Sequence, residues 1–215
     1  MLELLLTGLT DTLIMVGVSA ILAFLLGLPI ALVLVNSSEQ GIAPSFLTNL
    51  SLGWSVNIVR AIPFLILMVA IIPATRMIVG TSYGVWAAVV PLTLAATPFF
   101  ARIAEVSLRE VDPGLIEAAQ AIGCNRTQII RHVLLPEALP GIIAGFTVTI
   151  VTMINSSAIA GAIGAGGLGD IAYRYGYQRF DVQMMVSVIV VLVALVMLVQ
   201  ATGDSLAQWV DKRQL

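Results

Sequence analysis

Few side chains in this sequence could carry out chemistry on a substrate. The 215 residues include one lysine, Lys212, one histidine, His132, and one cysteine, Cys124. The lysine lies near the end of the chain and outside any GxxxxGK[ST] motif, which excludes a phosphate-binding loop. One histidine and one cysteine cannot form a metal cluster or an internal disulfide. A net charge of −2 argues against nucleic acid as a partner.

The remaining candidates are side chains inside long apolar segments. Arg60 is costly in lipid, so it either has a function there or extends to the headgroups from near a span end. Asn155, Ser156 and Ser157 either hold helices together or line a substrate path. Ile159 lies one helical turn beyond Asn155 and is predicted to narrow that path as an outer gate. We therefore predict a translocation path that contains these five residues.

Residues 164–169 read GAGGLG and formally match the GxGxxG dinucleotide fingerprint. That fingerprint needs a preceding strand in a soluble βαβ unit, whereas this segment follows an apolar span. We expect a flexible or tightly packed turn at the outer face, or a hinge beside a docked protein. Tyr173, Tyr175 and Tyr177 follow it. They are either aromatic residues of the membrane interface or a contact surface for an extracellular binding protein.

Residues 105–137, here called the elbow, form the longest charge-rich stretch between apolar segments. Asp112 followed by Pro113 is typical of a helix start, and Gly123 can end that helix. A second short helix is predicted over 126–135. The elbow either rests on lipid headgroups or docks another protein. The first helix has an apolar face at helical spacing, formed by Leu115, Ala118, Ala119 and Ile122.

The elements that must position these residues are membrane spans. The chain is 59% hydrophobic and 10% charged, with a mean hydropathy of +1.04, whereas soluble domains carry about 25% charged residues. A helix that crosses a bilayer needs about 20 apolar residues. We predict an all-α membrane protein with a single domain, residues 1–215, and a cytoplasmic elbow between helices 3 and 4. The predicted spans are 13–35, 54–74, 84–104, 138–160 and 184–203, and 36–53 is a connecting loop.

Prolines recur within or beside these spans, at Pro29, Pro63, Pro91, Pro98 and Pro140. Each removes a backbone donor and leaves a carbonyl about one turn earlier without its helical partner. They are either kinks that a bundle tolerates or bends that a transporter uses. Five together favour a structure that bends.

The distribution of basic residues predicts the orientation. One face would hold three arginines, and the other would hold seven basic residues. The N-terminus is therefore predicted outside and the C-terminus in the cytoplasm. The first basic residue is Arg60, so no basic signal-peptide start precedes the first span, which we expect to be retained. The seven are Arg60, Arg102, Arg109, Arg126, Arg131, Lys212 and Arg213.

The elbow resembles the EAA motif of bacterial ABC importer permeases. That pattern is Glu-Ala-Ala, three residues, Gly, nine residues and Ile-x-Leu-Pro, and Val133 replaces the isoleucine here. In that family the segment is the coupling helix, which inserts into a groove of a cytoplasmic ATPase. The resemblance implies an ATPase-docking set of Glu117, Ala118, Ala119, Gly123, Leu135 and Pro136.

Other segments look like the permeases of D/L-methionine uptake ABC transporters. They include 60–64 (RAIPF), 79–82 (VGTS), 87–93 (AAVVPLT), 98–102 (PFFAR) and 173–177 (YRYGY). The GAGGLG segment is less specific, because betaine and phosphonate permeases look similar there. Five spans with an outside N-terminus are also the arrangement of that family.

This resemblance implies the permease subunit of a methionine importer in the bacterial inner membrane. Two copies would form a homodimer with two cytoplasmic ABC ATPase subunits and receive substrate from an extracytoplasmic binding protein. The chain would be no enzyme and hold no cofactor, since ATP and Mg bind the ATPase. The alternatives are another small solute, such as a betaine or phosphonate, and a stand-alone secondary transporter. Against the latter, no acidic residue or histidine lies deep in a predicted span to relay protons.

Overall fold

The computed structural model describes residues 1–39 and 41–211, and its regular elements in those ranges are all helical. Lys212 and Arg213, two of the residues used to predict the orientation, lie outside the described residues. The α-helices are α1 (Leu2–Ser37), α2 (Phe46–Ala61), α3 (Phe64–Ala70), α4 (Ile72–Val79), α5 (Val85–Arg109), α6 (Pro113–Ala121), α7 (Arg126–Ile129), α8 (Leu135–Ala160), α9 (Gly167–Ile171) and α10 (Val182–Val210). Three π-helical segments, Ile130–Leu134, Gly161–Ala165 and Ala172–Tyr177, join the later helices.

Four helical stretches in the described part are long and apolar enough to cross a membrane: α1, α5, Arg126–Ala165 and α10. The pair formed by α2 and α3 passes the same test but is bent by 101°, which allows up to five spans. The prediction of an all-helical membrane protein is therefore confirmed.

The predicted span over 54–74 is not one continuous helix. The helix begins earlier, at Phe46, which shortens the predicted loop 36–53, and it breaks after Ala61. Pro63 has no N–H and forces the residue before it out of the helical region, so Ile62 is extended at φ −82° and ψ 122°. A second break at Ile71 separates α3 from α4.

The other prolines do not interrupt their helices. Pro29 lies inside α1, Pro91 and Pro98 inside α5, and Pro140 inside α8. Uninterrupted helices at these four positions are compatible with kinks that the bundle tolerates, and among the five prolines only Pro63 lies at a break between helices.

The fourth span is longer than predicted. The separate short helix expected over 126–135 is instead the first part of one helical stretch, Arg126–Ala165. Pro136 cannot donate to the carbonyl of the preceding turn. The backbone adjusts to it through the π segment Ile130–Leu134 and does not break. The elbow is thus continuous with a membrane span.

The core lies where α1 packs along α5 and α8 contacts both. Phe24, Phe100 and Phe146 come from these three helices, and their ring centroids lie 5.1–5.4 Å apart. Gly27 lets the backbones of α1 and α5 approach, because a Cβ there would lie 2.9 Å from the carbonyl oxygen of Thr97. This packing forms the frame against which the broken second span rests.

Candidate docking surface and translocation cavity

The first helix of the elbow, α6, begins and ends where its sequence predicts. The Asp112 carboxylate accepts a hydrogen bond from the Gly114 N–H at 2.8 Å, and Pro113 is the first helical residue. Gly123 ends the helix with φ +85°. The N–H of Cys124 then donates to the carbonyl of Ala119 at 3.0 Å.

Most of the apolar face of α6 is exposed. Ala119 is buried, but Leu115 is 43% exposed and Ile122 is 81% exposed. Glu117 and Ala118 are also exposed. A carboxylate beside uncovered apolar side chains is a surface that a protein partner can bury.

The second part of the elbow, from Asn125 onward, packs against the bundle. The Asn125 side chain accepts from the Gln128 N–H at 2.9 Å, and the Gln128 side chain accepts from the Asn125 N–H at 2.8 Å, which forms a capping box. Ile129 and Leu134 are buried. Leu135 is half-buried, whereas Arg126, Arg131, His132 and Pro136 are exposed.

A buried carboxylate that the sequence analysis did not single out holds the end of α5 beside the elbow. Glu105 is 3% exposed and pairs with Arg102 at 2.6 Å and Arg109 at 2.8 Å. The spacing of three and four residues places all three side chains on one helix face. That spacing was the signal that could have identified this cluster.

Two residues of the predicted path, Arg60 and Ser156, line one cavity of about 270 Å³. It lies at the break between α2 and α3, and helices α5 and α8 close its far side. The Arg60 guanidinium carbon lies 5.9 Å from the centroid of the Phe99 ring, on the cavity wall. We call this space the path cavity.

The Arg60 side chain is exposed and lies on the wall of the path cavity. Its neighbour Phe99 is about ten residues before the end of α5 at Arg109, which corresponds to roughly 15 Å of helix. Phe99 also lies five residues before 104, the predicted end of that span, so both predictions for Arg60 stay predictions. Its place on the wall of a cavity favours a function there.

The other predicted path residues divide between two environments. Asn155 and Ile159 are exposed on the same face of α8, outside the wall of the path cavity. Ser157 is 2% exposed, and its hydroxyl donates to the carbonyl of Ile154 at 2.7 Å. Ser157 therefore fits the helix-packing alternative.

At the opposite end of the bundle, residues 161–177 form the glycine segment. Gly164, Gly166 and Gly167 have positive φ values of +103°, +86° and +78°. The N–H of Leu168, a fully buried residue, donates to the Thr12 hydroxyl at 3.0 Å. The structure thus shows the tightly packed turn, one of the predicted alternatives.

The tyrosines after this turn differ in exposure. Tyr173 and Tyr177 are exposed and stack with ring centroids 5.6 Å apart. Tyr175 is half-buried, and the guanidinium of Arg179 lies 4.6 Å from its ring centroid. Exposed aromatic rings here are compatible both with a membrane interface and with a protein contact.

A helical bundle with several spans, a broken span beside a largely apolar cavity that contains an arginine, and an exposed elbow are features expected of a membrane transport subunit. The family model described as "Binding-protein-dependent transport system inner membrane component" matches residues 23–215. The chain belongs to this family and is a multi-pass component of the inner membrane.

Relatives match nearly the whole chain. It is 49% identical to the probable D-methionine transport system permease protein MetI of Vibrio cholerae, over 98% of this chain and 94% of the relative. It is 46% identical to the methionine import system permease protein MetP of Bacillus subtilis, over 74% and 71%. A solved structure of the MetNI methionine ABC transporter in an inward-facing conformation matches with a TM-score of 0.97 and 46% identity, over 99% of this chain and 98% of that chain.

Proposed function

We propose that this chain is the permease subunit of an ATP-driven importer of methionine. The observation that supports this proposal is the match of the chain to methionine permeases over nearly its full length, together with the TM-score of 0.97 to a methionine ABC transporter. The chain forms the membrane path, and a separate ATPase binds ATP and Mg and supplies the energy. The chain itself is not an enzyme and carries no cofactor.

The elbow is the surface that docks the ATPase. Its exposed carboxylate and apolar side chains project from one end of the bundle, and its second part continues directly into a span. Closure of the ATPase dimer would therefore move α8 with the elbow. The docking residues are Glu117, Ala118, Ala119, Gly123, Leu135 and Pro136. This assignment places the elbow and the C-terminus in the cytoplasm and the N-terminus outside.

A second copy of the chain completes the path. The exposed face of α8 that carries Asn155 and Ile159 needs a covering surface, and a homodimer would place two such faces around a central route. Asn155 and Ser156 would line this route, and Ile159 would narrow it near the glycine segment. An extracytoplasmic binding protein would deliver substrate to the exposed tyrosines at that end. Transport follows from two packings of the same helices that the ATPase favours in turn.

The experiment is purification of the tagged chain from its native membrane in mild detergent, followed by ATP hydrolysis and uptake in proteoliposomes with the binding protein present. We expect a stoichiometric ABC ATPase and hydrolysis that methionine stimulates. A chain that purifies alone and still transports would instead be a stand-alone secondary transporter. Stimulation by a betaine or a phosphonate and not by methionine would keep the class and change the cargo.

A further inference from the structure

Arg60 places a positive charge on the wall of the path cavity, and no carboxylate among residues 1–39 and 41–211 forms an ion pair with it. In the part of the chain that the structure describes, the ion pairs are Arg102–Glu105, Arg109–Glu105 and Arg174–Asp170, and none includes Arg60. Its neighbour is the Phe99 ring, which leaves the guanidinium N–H groups available to a ligand. A guanidinium in this setting favours an anion, and its paired N–H groups match a carboxylate.

Two hydroxyls on the wall of the path cavity already donate their protons to backbone carbonyls and can still accept hydrogen bonds. Thr152 donates its hydroxyl proton to the carbonyl of Val148 at 2.9 Å, and Ser156 donates to the carbonyl of Thr152 at 3.0 Å. A hydroxyl has one donor and two lone pairs, so each oxygen can still accept a hydrogen bond. The cavity therefore offers donors on Arg60 and acceptors on α8.

Apart from Thr149, whose hydroxyl donates to the carbonyl of Gly145 at 2.8 Å, the rest of the wall is apolar. Phe64, Leu92 and Met153 line the same space, and Leu92 and Met153 are buried. The volume of about 270 Å³ lies just below the range of about 300–1,000 Å³ that is usual for small-molecule pockets. A short apolar side chain fits such a wall, whereas a charged one would lose its hydration there.

We propose that the path cavity is a transient binding site for the zwitterion of an apolar amino acid. Arg60 binds the α-carboxylate, Thr152 and Ser156 accept from the α-ammonium, and the apolar wall contacts the side chain. This proposal rests on the proposed function and adds to it a contact between permease and substrate. Such a site would bind methionine in preference to a betaine, because a quaternary ammonium has no N–H to donate to the hydroxyls.

The first test labels the cavity without requiring transport. In the complete complex, with Cys124→Ser to remove the native thiol, Ser156→Cys is treated with an anionic and with a cationic methanethiosulfonate. A cleft of one charge raises the local concentration of counter-ions by about tenfold or more. We expect about tenfold faster labelling by the anionic reagent, after correction for intrinsic reactivity, and loss of that preference in Arg60→Gln. Ser157→Cys, one residue away and buried, is the control and should not react.

Protection of the cysteine by added ligands gives a second readout in the same labelling experiment. Methionine should slow labelling of Ser156→Cys, whereas its amide, which lacks the carboxylate, and its N-trimethyl derivative should slow it far less. Equal rates for the two reagents, or a preference that survives Arg60→Gln, would overturn the proposal. Equal protection by methionine and its amide would also overturn it.

The second test measures uptake and ATP hydrolysis in proteoliposomes. Loss of a charged hydrogen bond to substrate should lower uptake in Arg60→Gln by about tenfold or more, with ATP hydrolysis largely kept. Arg60→Lys should restore part of the uptake, and Arg76→Gln, which removes an exposed arginine elsewhere, should leave it unchanged. If the wild-type complex takes up no methionine, the proposed function fails. If it does and Arg60→Gln is equally fast, only the cavity proposal fails.

Discussion

The elbow and the glycine segment both connect or follow long spans and both contain a glycine-bearing motif, yet their surroundings are opposite. A Cβ at Gly123 in the elbow would meet nothing within 4 Å, and the preceding Ile122 is 81% exposed. A Cβ at Gly169 in the glycine segment would lie 2.6 Å from the Cα of Ala158. The preceding Leu168 is fully buried.

This difference indicates which apolar side chains stabilise the folded chain and which stabilise a complex with a partner. Apolar side chains of the glycine segment are buried by the chain itself and stabilise the monomer. Leu115 and Ile122 of α6 remain exposed, so burial of these two apolar side chains can stabilise only a complex. Substitutions in the glycine segment should therefore change folding, and substitutions in α6 should change association.

The largest effect is expected for Gly169→Ala. The new Cβ would collide with the backbone of Ala158, which cannot move aside as a flexible side chain can. Overpacking costs about 1–3 kcal/mol and occasionally more, and a clash with backbone belongs at the upper end of that range. Melting temperature and gel-filtration profile of the purified complex should show severe loss of folded protein. Gly17→Ala is the matched control, because a Cβ at Gly17 meets nothing within 4 Å and alanine favours the helix. Equal stability of both variants would contradict tight packing at Gly169.

Glu117→Lys should show most clearly that the elbow affects association with a partner and not folding of the chain. Because Glu117 is exposed, the variant should insert and melt like the wild type. It should nevertheless fail to retain the ATPase and fail to transport, since the charge at the docking surface is reversed. Co-purification and uptake measure this outcome. Glu39→Lys reverses an exposed carboxylate outside the elbow and should have a much smaller effect. Normal uptake by Glu117→Lys would remove the elbow as the docking surface.

Thr12→Val tests the hydrogen bond that joins α1 to the glycine segment. The Thr12 hydroxyl accepts from the buried Leu168 N–H and donates to the carbonyl of Gly8 at 2.9 Å. Valine has a similar shape but leaves that N–H without a partner, which costs about 1–3 kcal/mol. We expect a lower melting temperature and faster proteolysis within 161–177. Thr12→Ser keeps the hydroxyl and should stay close to the wild type, so equal losses in both variants would assign the effect to packing.

The sequence predicted those parts of the fold that depend on local composition. Apolar length predicted the straight spans, and Asp112 and Gly123 predicted the limits of α6. Pro63 was one of five prolines that favoured bending, but hydropathy over 54–74 could not show that this proline, and not the other four, breaks its helix. The sequence also did not predict that Arg60 and the α8 hydroxyls line the same cavity, since this depends on how distant helices pack. Arg60 and Ser156 were candidates individually, but only the structure places them in one cavity.

The smallest effect is expected for Gly123→Ala, and it gives the comparison its finest test. At φ +85° an L-residue is strained by about 1–2 kcal/mol, but open space around the position means that no packing is lost. The strain can be relieved locally by unwinding the end of α6, so the melting temperature of the isolated chain should barely change. The docked state needs the intact turn, so ATPase binding should weaken by up to about tenfold, measured by titration with the labelled ATPase. Gly123→Asn should bind better than Gly123→Ala, because asparagine tolerates the left-handed region. If Gly123→Ala instead destabilised the chain as much as Gly169→Ala, the elbow would be part of the folding core and the distinction between the two regions would fail.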